Sequence, residues 1–361
     1  MNDKVTLMKG NEALAMAMIR YGADGYFGYP ITPQSEVLEK LEEEMPWETT
    51  GMVVLQAESE VAAINMVYGG AMTGKAVCTS TSSPGFSLMQ EGVSYLAASE
   101  VPALLINVQR GGPGLGTIHA SQADYFQACK GGGHGDYHMI VLAPSSVQEM
   151  ADMVALGFDL AFKYRCVSMI LADGTIGQLM EKVVLPEQRP RRTDDEVREQ
   201  CPWAVNGRKG MRPSNVVTSL ELDDDKMEEN NWRFQACYRE IEKNETRCEL
   251  IDVDDCDYLI TAFGTTARVA MKTMELARAE GIKVGMFRPI TLWPFPEKQL
   301  REAAKNVKGI LCVELNAGQM VEDVKLAVEC KMPVEHYGRF GGNVPTPDEL
   351  LNVLKEKLIN K

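Results

Sequence analysis

Four stretches early in the chain combine polar or charged side chains with glycine or proline, as ligand-binding loops do. In Gly28-Tyr29-Pro30-Ile31-Thr32-Pro33-Gln34-Ser35, two prolines stiffen a turn and Thr32 offers a hydroxyl between them. A proline-braced helix start with an ordinary hydroxyl cap would read the same way. In Gln56-Ala57-Glu58-Ser59-Glu60-Val61-Ala62-Ala63, running on to Gly69, Gly70 and Gly74, Glu60 opens a helix of small residues suited to close packing. A carboxylate there is favoured by the helix dipole, whether it serves a ligand or only its own helix. In Ile106-Asn107-Val108-Gln109-Arg110-Gly111-Gly112-Pro113-Gly114, an apolar strand ends in an arginine followed by glycines. Such an arginine can clamp a carboxylate or phosphate through a planar fork, or can form a plain surface ion pair. Thr79-Ser80-Thr81-Ser82-Ser83-Pro84-Gly85 supplies donors at a helix start, either for an anion or for self-capping.

These loops need a rigid frame, and the pattern around them supplies one. Helical periodicity over 10–22, 34–43, 59–73, 85–98 and 145–163 alternates with short apolar, β-prone runs at 24–28, 52–55, 75–80, 102–108, 139–142 and 167–171. Alternating strands and helices with near-continuous apolar strands indicate an α/β unit: a parallel sheet covered on both faces. The candidate loops fall at the carboxyl ends of its strands, where open parallel sheets bind ligands.

The character changes after residue 186. Pro190, Arg191 and Arg192 precede Asp194, Asp195 and Glu196, and 220–245 reads as one acidic exposed helix. The stretch 187–249 is therefore expected to be a charged linker, either ordered against its neighbours or a tether. From residue 250 a second α/β series begins, with strands expected at 258–263, 282–287, 309–313 and 334–337 and a helix at 267–280. Pro289, Pro294 and Pro296 mark a rigid loop between them. The expected organisation is 1–186, 187–249 and 250–361, with a small four-stranded sheet in the last part.

Composition narrows the function. The 361 residues are 45% apolar and 24% charged with a net charge of -14, a balance expected of a globular protein with an acidic surface that repels nucleic acid. No run approaches a membrane span and no secretory leader is visible, so a cytoplasmic protein without a membrane partner is expected. The nine cysteines include no closely spaced pair, which argues against an iron–sulfur or zinc site in this chain. His134 and His138 have the spacing of helical metal ligands, but Gly131, Gly132, Gly133 and Gly135 exclude a helix there, and a loop or a contact to a partner chain is expected instead.

Taken together and in order, YPITPQSE, QAESEVAAIN, STSSPGFSLMQEG, VQRGGPG and GGGHGD resemble the α subunit of 2-oxoacid:ferredoxin oxidoreductases. The resemblance resumes in TAFGTTARVA, FRPITLWPFP, VELNAGQMVEDV and GRFGGNVPTP, so it covers most of the chain outside 187–249. YFGYPITPQSE, GGPGLG and KGGGHGDY are closest to the branched-chain, 2-oxoisovalerate type; the 2-oxoglutarate type would carry Gln-Met-Glu-Asp-Glu around Glu60. The resemblance implies a pyrimidine-binding fold for thiamine diphosphate followed by a domain like the C-terminal one of transketolase. It implies that Glu60 hydrogen-bonds the aminopyrimidine ring, that Pro30, Ile31 and Thr32 line the cofactor, and that Thr32 and Arg110 meet the substrate. The reaction implied is oxidative decarboxylation of a 2-oxoacid with CoA and ferredoxin.

The Gly-Asp-Gly and following Asn-Asn with which thiamine enzymes hold Mg²⁺ and diphosphate are missing: Asp173-Gly174 lacks the leading glycine and Asn230-Asn231 lies too far away. A β subunit is therefore expected to carry that half. The family's γ subunit and a ferredoxin-like δ subunit with the iron–sulfur clusters are expected as further partners. Alternatives are the same enzyme acting on 2-oxoglutarate, the β-type subunit of a lipoamide-linked dehydrogenase, and a non-catalytic assembly subunit.

Overall fold

The computed structural model describes residues 5–208, 210 and 212–360. Fourteen strands follow in chain order among these residues: β1 Val5–Lys9, β2 Gly25–Gly28, β3 Val53–Gln56, β4 Val77–Thr81, β5 Ala103–Gln109, β6 Ile140–Leu142, β7 Val167–Asp173, β8 Met180–Val184, β9 Cys248–Ile251, β10 Tyr258–Thr261, β11 Val284–Pro289, β12 Thr291–Trp293, β13 Gly309–Glu314 and β14 Val334–Gly338. They form three sheets.

The largest has the order β12-β6-β7-β5-β4-β2-β3. Its six strands from the first half of the chain are parallel, with Cys78 beside Leu104 and Leu104 beside Ser168 at its centre. Successive residues of β4 point to opposite faces. Cys78 Sγ lies 3.4 Å from Met18 Sδ on the helix Gly10–Tyr21. A side chain added at Gly70, on the helix Glu60–Met72, would press on Val77. The sheet is thus sandwiched, with Gly10–Tyr21 packed beside Val147–Tyr164 on one face and Glu60–Met72 beside Ser83–Ala98 on the other. Both faces being covered explains why β4, β5 and β7 are buried along their whole length.

Four strands depart from the sequence reading. The proline-marked segment after β11 was expected to be a loop, yet Thr291–Trp293 pairs antiparallel with β6 and closes the edge of the large sheet. Ala143 N–H donates to the Ile290 carbonyl at 2.8 Å, and Leu292 and Trp293 are buried. β1 and β8 form a separate antiparallel ribbon with Val5, Leu7 and Met180 exposed. The later sheet has five strands rather than four, in the order β14-β13-β10-β11-β9, because β9 adds antiparallel to β11.

The stretch from 187 is ordered against the large sheet's layers. Arg191 pairs with the buried Asp24 at 3.0 Å, and Arg189 N–H donates to the Arg20 carbonyl. The helix Asp224–Asn244 buries only Phe234, Tyr238 and Ile241. Tyr238 and Trp293 meet edge to face, and His138 stacks flat on Trp293 at 4.6 Å. At the end of that helix burial would raise the Glu245 carboxyl. Hydrogen bonds from Lys163, Tyr164 and Arg247 outweigh it and lower its pKa to about 2.

The two large sheets are joined by polar groups. Asp173, at the end of β7, accepts from the backbone N–H and the hydroxyl of Thr265 at 2.8 and 2.6 Å. Gly264 adopts a left-handed φ of 56° there, and a Cβ would sit 2.8 Å from the Asp173 carboxylate.

Candidate functional site

The loop after β2 is held from four sides. Gln34 is buried and donates to the Tyr29 carbonyl, and its own oxygen accepts from Ser80 at 2.5 Å. Asn11 and Gln178 both donate to the Pro33 carbonyl, at 2.7 and 3.0 Å. Arg110 Nη1 donates to the Thr32 carbonyl at 2.8 Å. Pro30 and Ile31 are half-buried, while the Thr32 side chain faces out. Thr32 is thus an exposed residue on a backbone whose carbonyls are held by Asn11, Gln34, Arg110 and Gln178.

Glu60 begins its helix after Ser59, whose hydroxyl caps the N–H of Ala62. It is only 6% exposed, whereas Glu58 is exposed. Among the described residues none donates a hydrogen bond to the Glu60 carboxylate. Its neighbour is the start of the helix Ser83–Ala98: a Cβ at Gly85 would lie 2.6 Å from Glu60 Oε1 and would overlap the Thr81 hydroxyl, so only glycine fits. The Thr81 hydroxyl there is buried without a partner, as are those of Thr79 and Ser82. Acceptors and donors left open beside one another fit a small heteroaromatic ring that carries both.

The same helix start reaches Arg110. Ser83 Oγ accepts from the Arg110 backbone N–H at 3.0 Å. The Arg110 guanidinium is buried; Nη1 and Nη2 donate to the Thr32 and Leu115 carbonyls, and Nε is buried and unpaired. No carboxylate neutralises it among the described residues. An unneutralised guanidinium fixed between two loops suits an anionic ligand. Gly111–Ala120 loop back on themselves, with Gly111 N–H on the His119 carbonyl, and present Leu115 82% exposed. Beside them lies a cavity of about 460 Å³ lined by Ser83, Arg110, Gly112, Asp124, Asn316 and Phe340.

The later sheet supplies one wall of that cavity and grips the loop 121–126. Gln122 donates to the Phe263 carbonyl and accepts from Leu315 N–H, Asn316 donates to the Gln122 carbonyl, and Tyr125 donates to Asp323 at 2.6 Å. Sequence reading did not single out Gln34, Ser80, Asn107 or Asp124. The available signal was a polar residue inside an otherwise apolar strand, as Asn107 is in β5. Asp173 is raised by burial, an effect opposed by its hydrogen bonds to Thr265, Ile176 and Thr175. Those bonds occupy it inside the fold rather than at a ligand. His134 and His138 lie on a loop; Ser94 donates to the His134 carbonyl.

Among the described residues no helix is long and apolar enough to cross a membrane.

Residues 16–244 match the family profile described as "Pyruvate flavodoxin/ferredoxin oxidoreductase, thiamine diP-bdg", and residues 256–350 that described as "Pyruvate:ferredoxin oxidoreductase core domain II". The chain is 47% identical to the ketoisovalerate oxidoreductase subunit VorB of Methanothermobacter marburgensis, over 97% of each chain. It is 35% identical to the 2-oxoglutarate synthase subunit KorA of the same organism, over 96% of this chain and 97% of that one. Among solved structures, a 2-oxoglutarate:ferredoxin oxidoreductase from Magnetococcus marinus, with 2-oxoglutarate, coenzyme A and succinyl-CoA bound, superposes with a TM-score of 0.83 at 28% identity. That match covers 98% of this chain and 65% of the longer one. A split-gene transketolase matches at a TM-score of 0.59 and 13% identity, a likeness of fold alone.

Proposed function

Because this chain belongs to the pyruvate flavodoxin/ferredoxin oxidoreductase family, the 2-oxoacid:ferredoxin oxidoreductases, we propose that it is the α subunit of a thiamine-diphosphate-dependent enzyme acting on branched 2-oxoacids, 2-oxoisovalerate first. The reaction is oxidative decarboxylation: the bond between the carboxylate and the 2-oxo carbon breaks, CO₂ leaves, the acyl group passes to the CoA thiol, and the electrons pass to oxidised ferredoxin. The observation that carries this reading is the buried Glu60, whose carboxylate accepts no hydrogen bond from the described residues and abuts Gly85. The choice of a branched substrate rests on the identity to the ketoisovalerate enzyme subunit.

Thiamine diphosphate, when bound, supplies the nucleophilic carbon and the electron sink for decarboxylation. Glu60 accepts a hydrogen bond from the aminopyrimidine ring and favours the tautomer that can take a proton. Burial keeps water from competing for that carboxylate. Pro30, Ile31 and Thr32 form the rigid wall beside the ring, and Thr32 turns its hydroxyl to the reacting end. Arg110 offers its positive charge to the substrate carboxylate while Nη1 and Nη2 brace the Thr32 and Leu115 loops.

The diphosphate and Mg²⁺ belong to a β subunit in this reading. The absent Gly-Asp-Gly motif supports that division, as does the full engagement of Asp173 inside the fold. Val61, Met66, Leu88, Leu115 and Ile118 are exposed around Glu60 and Arg110, as a β-subunit contact would require. Residues 1–186 are assigned to pyrimidine binding, 187–249 to a strap, and 250–361 to the transketolase-like domain, with γ and ferredoxin-like δ subunits completing a cytoplasmic complex. The test is to purify the native complex and assay ferredoxin reduction with CoA across a panel of 2-oxoacids. Preference for 2-oxoisovalerate supports the reading; reduction of lipoamide instead of ferredoxin, or preference for 2-oxoglutarate, contradicts it.

A further inference from the structure

Asp124 lies on the loop that the later sheet grips, at the edge of the cavity beside Arg110. One of its oxygens, Oδ2, accepts from both the Ser83 hydroxyl at 2.6 Å and the Asn107 amide at 2.9 Å. Asn107 in turn accepts from Ser83 N–H at 3.0 Å. Ser83 Oγ accepts from Arg110 N–H at 3.0 Å, and Gln109 accepts from Asp124 N–H at 3.1 Å. Asp124, Ser83 and Asn107 therefore close a ring of hydrogen bonds, and Ser83 links that ring to the Arg110 backbone. The ring ties the strand that ends in Arg110 to the helix start that abuts Glu60. Asn107 is fully buried, so the ring is anchored on the central strand of the large sheet.

We propose that Asp124 is a positioning residue for the 2-oxoacid carboxylate: through Ser83 it sets where Arg110 stands relative to Glu60. The inference rests on the function proposed above. Asp124 touches neither substrate nor cofactor in this scheme. Burial raises its carboxyl above the ordinary range, opposed by the Ser83 and Asn107 bonds. The role needs an acceptor at Oδ2 and does not need the charge, because no cation pairs with Asp124 among the described residues.

The assembled complex carrying Asp124→Asn, Asp124→Ala and Ser83→Ala tests this. Asparagine can present its amide oxygen where Oδ2 stands, so Asp124→Asn should keep the substrate KM close to wild type. Asp124→Ala breaks the ring and should raise KM for the 2-oxoacid by about tenfold to a hundredfold, with kcat much less affected. Thiazolium proton exchange, which reads Glu60, should stay at the wild-type rate. Ser83→Ala removes the next member of the ring and should reproduce the effect. The double variant should be no worse than either single one, since both cut one connection. An Asp124→Ala complex with wild-type KM overturns the proposal, as do additive effects in the double variant. So does an Asp124→Asn complex as impaired as Asp124→Ala. If Asp124→Ala fails to assemble, Ser83→Ala and Asp124→Asn decide the matter in the same way. KM is measured with whichever 2-oxoacid the wild-type complex prefers. A wild-type complex inactive on every 2-oxoacid refutes the function itself, a failure visible before any variant is made.

Discussion

Replacing Arg110 by lysine separates a point charge from a planar fork. The guanidinium holds the Thr32 and Leu115 carbonyls at 2.8 and 3.0 Å and, in the proposed function, also meets the substrate carboxylate. A lysine amine extends from a single point and can keep one of these three positions. Two charged hydrogen bonds are then lost, at about 1.5 kcal/mol each on the low side of the usual range. The sum, about 3 kcal/mol, corresponds to a loss on the order of a hundredfold in kcat/KM. The loss should fall mainly on KM for the 2-oxoacid, because the carboxylate is bound in ground and transition states alike. Steady-state kinetics of ferredoxin reduction by the assembled complex, varying the 2-oxoacid at saturating CoA, provides the measurement. Thiamine binding, followed by calorimetry on the same complex, should be little changed. An Arg110→Lys complex with unaltered dependence on 2-oxoacid would refute the reasoning and leave Arg110 a loop brace only.

Three further outcomes are expected. Gly85→Ala places a methyl 2.6 Å from Glu60 Oε1; displacing that carboxylate should slow turnover by about tenfold or more while costing about 1–3 kcal/mol of stability, read by activity and thermal melting of the complex. The chain purified alone should bind thiamine diphosphate weakly in calorimetry, since the diphosphate lacks a metal clamp on it; tight Mg²⁺-dependent binding would overturn the division between subunits. Glu245→Gln should lower the melting temperature near neutral pH. The Glu245 carboxyl is depressed in the folded state, so its stabilisation is present above its unfolded pKa and is lost as pH falls through about 2. The gap between wild type and variant should therefore close as the pH is taken from about 5 downward.

Much of the fold is legible in the sequence because local pattern dictates it. β5 and β7 are largely apolar runs buried along their whole length, as a sheet covered on both faces requires. The helix Glu60–Met72 announces itself by small residues and by a serine cap before its first glutamate. What the sequence hides depends on distant partners. Thr291–Trp293 is three residues long and flanked by prolines, and becomes a strand only because β6 offers an open edge. β1 and β8 pair only with each other from distant parts of the sequence, with no signal in either alone. The site divides in the same way. The local types and order of residues brought forward Thr32, Glu60 and Arg110. The ring around Asp124 and the brace from Gln34 to Ser80 arise from side chains brought together across the fold. The choice between Glu58 and Glu60 could not be made on spacing, whereas burial in the folded chain separates them.

The central claim is that Glu60 meets the pyrimidine of thiamine diphosphate, and proton exchange at the thiazolium carbon reads it most directly. In the assembled complex, NMR-detected exchange should slow by about a hundredfold or more in Glu60→Gln, which keeps shape and hydrogen bonding but not the carboxylate. Glu58→Gln, an exposed neighbour, should exchange at the wild-type rate. Wild-type exchange in Glu60→Gln would contradict the account. If Glu58→Gln alone slowed, the catalytic carboxylate would be Glu58; if neither did, the pyrimidine would be held by another chain.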